Sequence, residues 1–196
     1  MNWMKKVAVA LVCLLPLGLQ AAKIDTLQVK SPSMNKSIEV VVVSPDMAAT
    51  EACPVIYLLH GYGGNARTWV GIKPDLPKIA DEKGIFFVCP DGKNTWYWDS
   101  PLNADVRYET FISNELVKYV DSHYKTVADR KGRAITGLSM GGHGAMWNGL
   151  RHSDVFSAAG STSGGVDIRP FPKNWEMSVQ IGEKAKYPEN WEKYTV

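Results

Sequence analysis

Apolar positions along the 196-residue chain fall into short uninterrupted runs that alternate with stretches of helical spacing. Val55-Ile56-Tyr57-Leu58-Leu59 ends in His60-Gly61, and Ile85-Phe86-Phe87-Val88-Cys89 ends in Pro90-Asp91-Gly92. Runs this brief, closed by breakers, suit strands covered on both faces. Ile24 to Val29 and Ile38 to Val43 are rich in β-formers and flank the turn-forming cluster Ser31 to Lys36, which predicts an antiparallel hairpin at a sheet edge. A helix is expected over Leu76 to Lys83. A longer one is expected over Tyr108 to Tyr124, where Phe111, Ile112, Leu116, Tyr119 and Val120 keep helical spacing and point to core packing. Arg133 to Thr136 predicts a strand, His143 to Arg151 a helix, and Phe156 to Gly160 a further strand. The alternation predicts an α/β domain, with a mostly parallel sheet and helices on both faces. Asp167 to Val196, rich in Pro, Lys, Glu and Trp, contains no strand pattern and is expected to form a surface excursion or cap.

The N-terminus changes the charge picture. Lys5 and Lys6 precede an apolar run from Val7 to Leu19, and Ala21-Ala22 offer small residues for cleavage. This is the pattern of a secretory signal over residues 1–22, followed by one domain over 23–196. The apolar run is shorter than the roughly 20 residues a membrane span needs. Cys13 follows the bulky Val12, which argues against a lipid anchor. Removal of Lys5 and Lys6 leaves 20 basic against 20 acidic residues, a formal charge of zero. Nucleic acid and anionic membrane demand a basic surface and are not expected partners. Export permits a disulfide, but Cys53 and Cys89 sit about six residues out of step in their strands, or about 20 Å. Two buried free thiols are expected.

The chemistry is carried by Gly137-Leu138-Ser139-Met140-Gly141, which lies directly between a predicted strand and a predicted helix. That context makes the pattern a nucleophile elbow, in which the glycines permit a tight turn and lift the serine oxygen above the sheet. Acyl transfer also needs a base and oxyanion donors. His60-Gly61-Tyr62-Gly63-Gly64 follows a buried strand, so the expected donors are the backbone N–H groups of Tyr62 and Met140. No metal site is expected, because no His, Cys or carboxylate cluster has ligand spacing, and no cofactor is called for.

None of the four histidines suits the role of base. His123 and His152 fall at helix ends on the sheet edge opposite the site, and His152 is about 18–20 Å from Ser139 along a helix. His143 is expected to hold local structure and His60 to orient its loop. Glu176, Glu183, Glu189 and Glu192 follow the last strand as candidate triad acids, with nothing to place them.

Leu58 to Gly64, Pro90-Asp91-Gly92 with Trp96 to Ser100, Tyr108 to Thr110 with Glu115-Leu116, and Gly137 to Ala145 together resemble an esterase family of α/β-hydrolases. That family includes esterase D (S-formylglutathione hydrolase), tributyrin esterases, feruloyl and acetyl-xylan esterases and mycolyltransferases. The resemblance spans roughly residues 24 to 165. It implies the α/β-hydrolase fold, Ser139 as nucleophile, Tyr62 and Met140 as oxyanion donors, and Trp98 and Asp99 near the acyl or leaving-group pocket. In the family the acid and histidine follow two further strands, and this chain stops before either; at roughly 30 residues per βα unit, about 60 residues are expected to be missing.

The expected function is therefore that of an exported serine esterase acting on acylated carbohydrate or short-chain acyl esters through an acyl-enzyme on Ser139. An acyltransferase, a non-catalytic scaffold and a truncated product remain open alternatives. The strand at Phe156 to Gly160 is expected to be an unprotected edge, which favours aggregation and near-inactivity.

Overall fold

The computed structural model describes residues 22–196. The expected signal segment and Cys13 lie outside the described residues, apart from Ala22. Six strands form a single sheet in the order β1-β2-β4-β3-β5-β6. Strands β1 (Lys23–Ser31) and β2 (Lys36–Ser44) make the predicted hairpin, turning through Asn35 at φ 47°. β2 pairs antiparallel with β4 (Phe86–Pro90). From there β3 (Val55–Leu59), β5 (Arg133–Leu138) and β6 (Ala158–Thr162) are all parallel to their neighbours.

Alternation along the central strands sends side chains to both faces. Val40, Val42, Phe86 and Val88 join one core, and Val41, Val43, Phe87 and Cys89 the other. The smaller core is covered by α1 (Thr68–Ile72) and α2 (Leu76–Lys83), the latter with the bounds its spacing predicts. The larger core takes the long helix: α3 (Tyr108–Thr110) runs through a π-helical segment, Phe111–Leu116, into α4 (Val117–His123). It also takes Ala145 and Trp147 from α5 (Met140–Arg151). Pairing of Val55 with Phe86 puts Cys53 and Cys89 at opposite ends of adjacent strands, and both thiols are buried and free.

Two expectations need correction. The last strand begins at Ala158 rather than Phe156. Phe156 supplied the apolar signal, but its ring packs edge-on against Tyr57 in the connection before β6, while the strand itself is built from small residues. The segment from Asp167 onward is more than a surface excursion. It forms α6 (Met177–Ile181) and α7 (Pro188–Lys193) and buries Ile168, Met177, Ile181, Trp191 and Tyr194 in the larger core. β6 forms the edge of the sheet with most of its residues exposed, beside a cleft of about 270 Å³ lined by Met146, Leu150 and Phe156. Among the described residues no helix is long and apolar enough to cross a membrane.

Candidate active site

Ser139 occupies a turn between β5 and α5 that few L-residues adopt, with φ 55° and ψ −115°. Such backbone strain persists only where the surroundings over-determine it. Here the Ser139 N–H donates to the Thr162 carbonyl at 2.8 Å, and its own carbonyl accepts from the His143 N–H at 3.0 Å. The flanking glycines are required by contact. A Cβ at Gly137 would overlap the Gly141 carbonyl, and one at Gly141 would overlap the carbonyls of Leu59 and His60. The elbow is thus pressed against the end of β3, and only the serine side chain is left exposed.

The loop leaving β3 lies beside it. Gly63 adopts φ 75°, and the Gly64 N–H donates to the Gly61 carbonyl at 3.0 Å. Tyr62, Ser139 and Met140 line one cavity of about 300 Å³. The structure therefore brings together the three residues predicted to carry the chemistry. The first N–H groups of a helix have no partner within it, and those of α5 begin at Met140, next to Ser139. The helix end adds a positive dipole there. Trp96, Ile168, Phe171 and Trp175 supply much of the remaining lining, so the cavity is largely apolar and aromatic.

Trp98 and Asp99 are not among the residues lining this cavity, although Trp98 stacks on Trp96, which is, with ring centroids 5.5 Å apart. Trp98 is fully buried, and its indole N–H donates to His143 Nε2 at 3.0 Å. The Asp99 carboxylate accepts from the backbone N–H and the hydroxyl of Thr110, at 3.0 and 2.5 Å. Both residues are tied into packing by their own hydrogen bonds, and the indoles that line the cavity are those of Trp96 and Trp175.

The two histidines nearest Ser139 in sequence and loop are engaged on both ring nitrogens. His143 Nε2 accepts from Trp98, so Nδ1 carries the proton and donates to the Gly165 carbonyl at 2.8 Å. Burial pushes its pKa down to about 4, against the partial support of that carbonyl. His60 Nε2 accepts from the Gly92 N–H at 2.9 Å, and Nδ1 donates to the Gly61 carbonyl at 2.7 Å. Each ring acts as a staple, the first for the cavity wall and the second for the loop. His123 stacks on Tyr119 at the end of α4, and His152 pairs with Glu109 at 2.9 Å beyond the end of α5. Glu176 accepts from Asn94 and Glu192 pairs with Arg169, and no candidate acid after β6 is hydrogen-bonded to a histidine among the described residues. No group of three or more His, Cys, Asp or Glu residues is placed to hold a metal ion among the described residues.

A family model described as "Putative esterase" matches residues 31–195. The chain belongs to this esterase family. Its relatives include an esterase of Mycobacterium tuberculosis, 30% identical over 149 residues, covering 72% of this chain and 32% of that protein. An acetyl esterase of Caldicellulosiruptor saccharolyticus is 32% identical over 108 residues, covering 55% of this chain and 40% of the relative. Among solved structures, a ferulic acid esterase is 29% identical with a TM-score of 0.71, covering 89% of this chain and 71% of that one. An S-formylglutathione hydrolase from Agrobacterium tumefaciens, at 22% identity and a TM-score of 0.73, shares the fold over 87% of this chain and 69% of its own. The chain has the α/β-hydrolase architecture and spans between a third and a half of the length of the curated relatives it matches.

Within this site, sequence reasoning missed Phe171 and Trp175 as cavity lining. Both lie in the segment that carries no strand or helix periodicity; Phe171 meets Trp175 with ring centroids 5.5 Å apart, and Trp175 links the pair to a distant part of the chain. Trp175 meets Trp96 with ring centroids 6.5 Å apart, across a gap of 79 residues.

Proposed function

We propose that this domain carries the nucleophile and oxyanion half of a serine esterase that takes acylated carbohydrate or short-chain acyl esters. The observation that supports it is the strained Ser139 turn opening into one cavity with Tyr62 and Met140. Ser139 Oγ attacks the ester carbonyl as a base takes its proton. The tetrahedral oxyanion is received by the N–H groups of Tyr62 and Met140, each worth on the order of 10²–10³ in rate in such sites. Collapse expels the protonated alcohol and leaves an acyl-enzyme, which water resolves by the same steps. The aromatic lining suits an apolar acyl group, with the sugar left toward solvent, in keeping with the acetyl and ferulic acid esterases among the relatives. Residues 1–22 serve export in this reading; N-terminal sequencing of exported protein should find it starting near Lys23.

His60 and His143 are both committed to other bonds, so the base in this reading comes from outside the described arrangement. Its absence costs about 10²–10⁴ in rate. Nitrophenyl acetate turnover should therefore be very low in the chain alone and rise when millimolar imidazole is added as a diffusible base. Ser139→Ala should remove the whole protein-dependent increment. No increment over free imidazole would sink the esterase reading and favour a second one, in which the tied histidines belong to a non-catalytic binder of acyl groups. Transfer to an added sugar hydroxyl in preference to water would point to an acyltransferase instead.

A further inference from the structure

The turn that follows β4 grips the proposed oxyanion loop at three points. The Gly92 N–H donates to His60 Nε2 at 2.9 Å, the Gly63 N–H donates to Asn94 Oδ1 at 2.9 Å, and the Tyr97 hydroxyl donates to the His60 carbonyl at 3.1 Å. These contacts flank Tyr62 on both sides. The turn itself is strained: Lys93, Trp96 and Tyr97 have φ of 49°, 59° and 60°. The Tyr97 ring fills the space a Cβ on Gly92 or Gly144 would need, so its position leaves no slack. Strain of this kind is retained where its surroundings impose it and clusters at working sites.

The C-terminal cap holds the same turn from its other side. Asn94 Nδ2 donates to Glu176 Oε2 at 3.3 Å, Gln180 Nε2 donates to the Asn94 carbonyl at 3.5 Å, and the Trp96 indole donates to the Trp175 carbonyl at 3.1 Å. Trp175 and Glu176 also have positive φ, at 50° and 55°. Asn94 is the residue common to both sets, since its side chain reaches the loop with one end and the cap with the other.

We infer that Asn94 is the positioning residue of the oxyanion loop, holding the Tyr62 N–H toward Ser139 and linking that donor to closure of the Trp175–Glu176 cap. The inference rests on Ser139 and Tyr62 acting as proposed above. Asn94 touches neither the nucleophile nor the cavity; its effect passes through the Gly63 amide.

Asn94→Ala should lower kcat for imidazole-supported, Ser139-dependent hydrolysis by about tenfold to a hundredfold, the scale expected when a donor is misplaced by about an ångström. KM should change less than twofold. Asn94→Asp keeps the acceptor for Gly63 and should recover most of kcat, especially when combined with Glu176→Gln, which removes the new repulsion. Amide exchange at Gly63 should quicken in Asn94→Ala and return toward normal in the aspartate variant. Unchanged kcat in a folded Asn94→Ala protein, or equal losses in the alanine and aspartate variants, would overturn the inference. If the unsubstituted chain shows no Ser139-dependent turnover, the esterase reading falls, and unchanged Gly63 exchange in Asn94→Ala would then overturn the positioning role separately.

Discussion

The Ser139 turn and the C-terminal cap border the same cavity and are held by different kinds of contact. At the elbow, backbone meets backbone: Gly141 abuts the Leu59 carbonyl and Gly137 abuts Gly141, with no room for a further carbon. In the cap, side-chain rings meet side-chain rings. Tyr194 stacks on Trp147 at 4.9 Å and meets Trp98 edge-on at 5.1 Å, while Trp191 is fully buried and its indole donates to the Gly182 carbonyl at 2.9 Å. Backbone contact demands particular residues at particular positions. Ring packing demands bulk and tolerates many arrangements. The elbow is accordingly the rigid half of the site and the cap the adjustable half.

The severest test of this contrast is Gly141→Ala. The added methyl collides with main-chain atoms that cannot rotate away, so a loss of about 4 kcal/mol or more is expected, enough to prevent folding of a marginally stable domain. Near-normal urea unfolding of this variant would break the comparison at its stiff end. Trp191→Ala should cost about 3–5 kcal/mol as a large core deletion. Hydrogen exchange should show that loss concentrated in residues 165–196, with β3 and β5 still protected. Uniform loss across the sheet would mean that the cap and the elbow form one cooperative unit.

His143 joins the halves, since it sits on α5 and holds the cap side through Gly165. Its folded pKa of about 4 lies below the usual 6.5, chiefly because burial disfavours the charged ring. The unfolded chain therefore takes up the proton first. Stability is fully present above about pH 6.5 and declines as pH falls toward 4, by up to about 3 kcal/mol from this group. Urea unfolding at pH 7.5 and pH 4.5, compared with His143→Gln, isolates the contribution; parallel pH profiles in the two proteins would remove it. The smallest effect is expected at the rim of the cap. Arg169 bridges Asp167 and Glu192 at the solvent-exposed surface, and Arg169→Ala should barely move the urea midpoint, a shift that salt should erase.

Much of the rigid half was legible beforehand. Strand β3, helix α2, the hairpin and the strand–serine–helix order all follow from patterns only a few residues long, because local periodicity and glycine placement reflect local backbone requirements. The apolar spacing predicts the long helix as one unit but not its π-helical middle at Phe111–Leu116, a departure confined to six residues and too short to show as a period of its own. β6 was placed two residues early because Phe156 is apolar for the sake of Tyr57, across the sheet, and not for the strand.

By itself the sequence determined the α/β class, the elbow with Ser139 at its tip and the loop carrying Tyr62. Each of these depends on short-range chain geometry, which the order of residues specifies directly. Only the tertiary structure decided that Trp96 and not Trp98 faces the cavity, that Asp99 is bound to Thr110, that Phe171 and Trp175 complete the lining, and that Asn94 joins the loop to the cap. Those assignments depend on which side chains meet across 11 to 82 residues of chain, and no local pattern encodes the direction in which a ring or an amide will point once the sheet has closed.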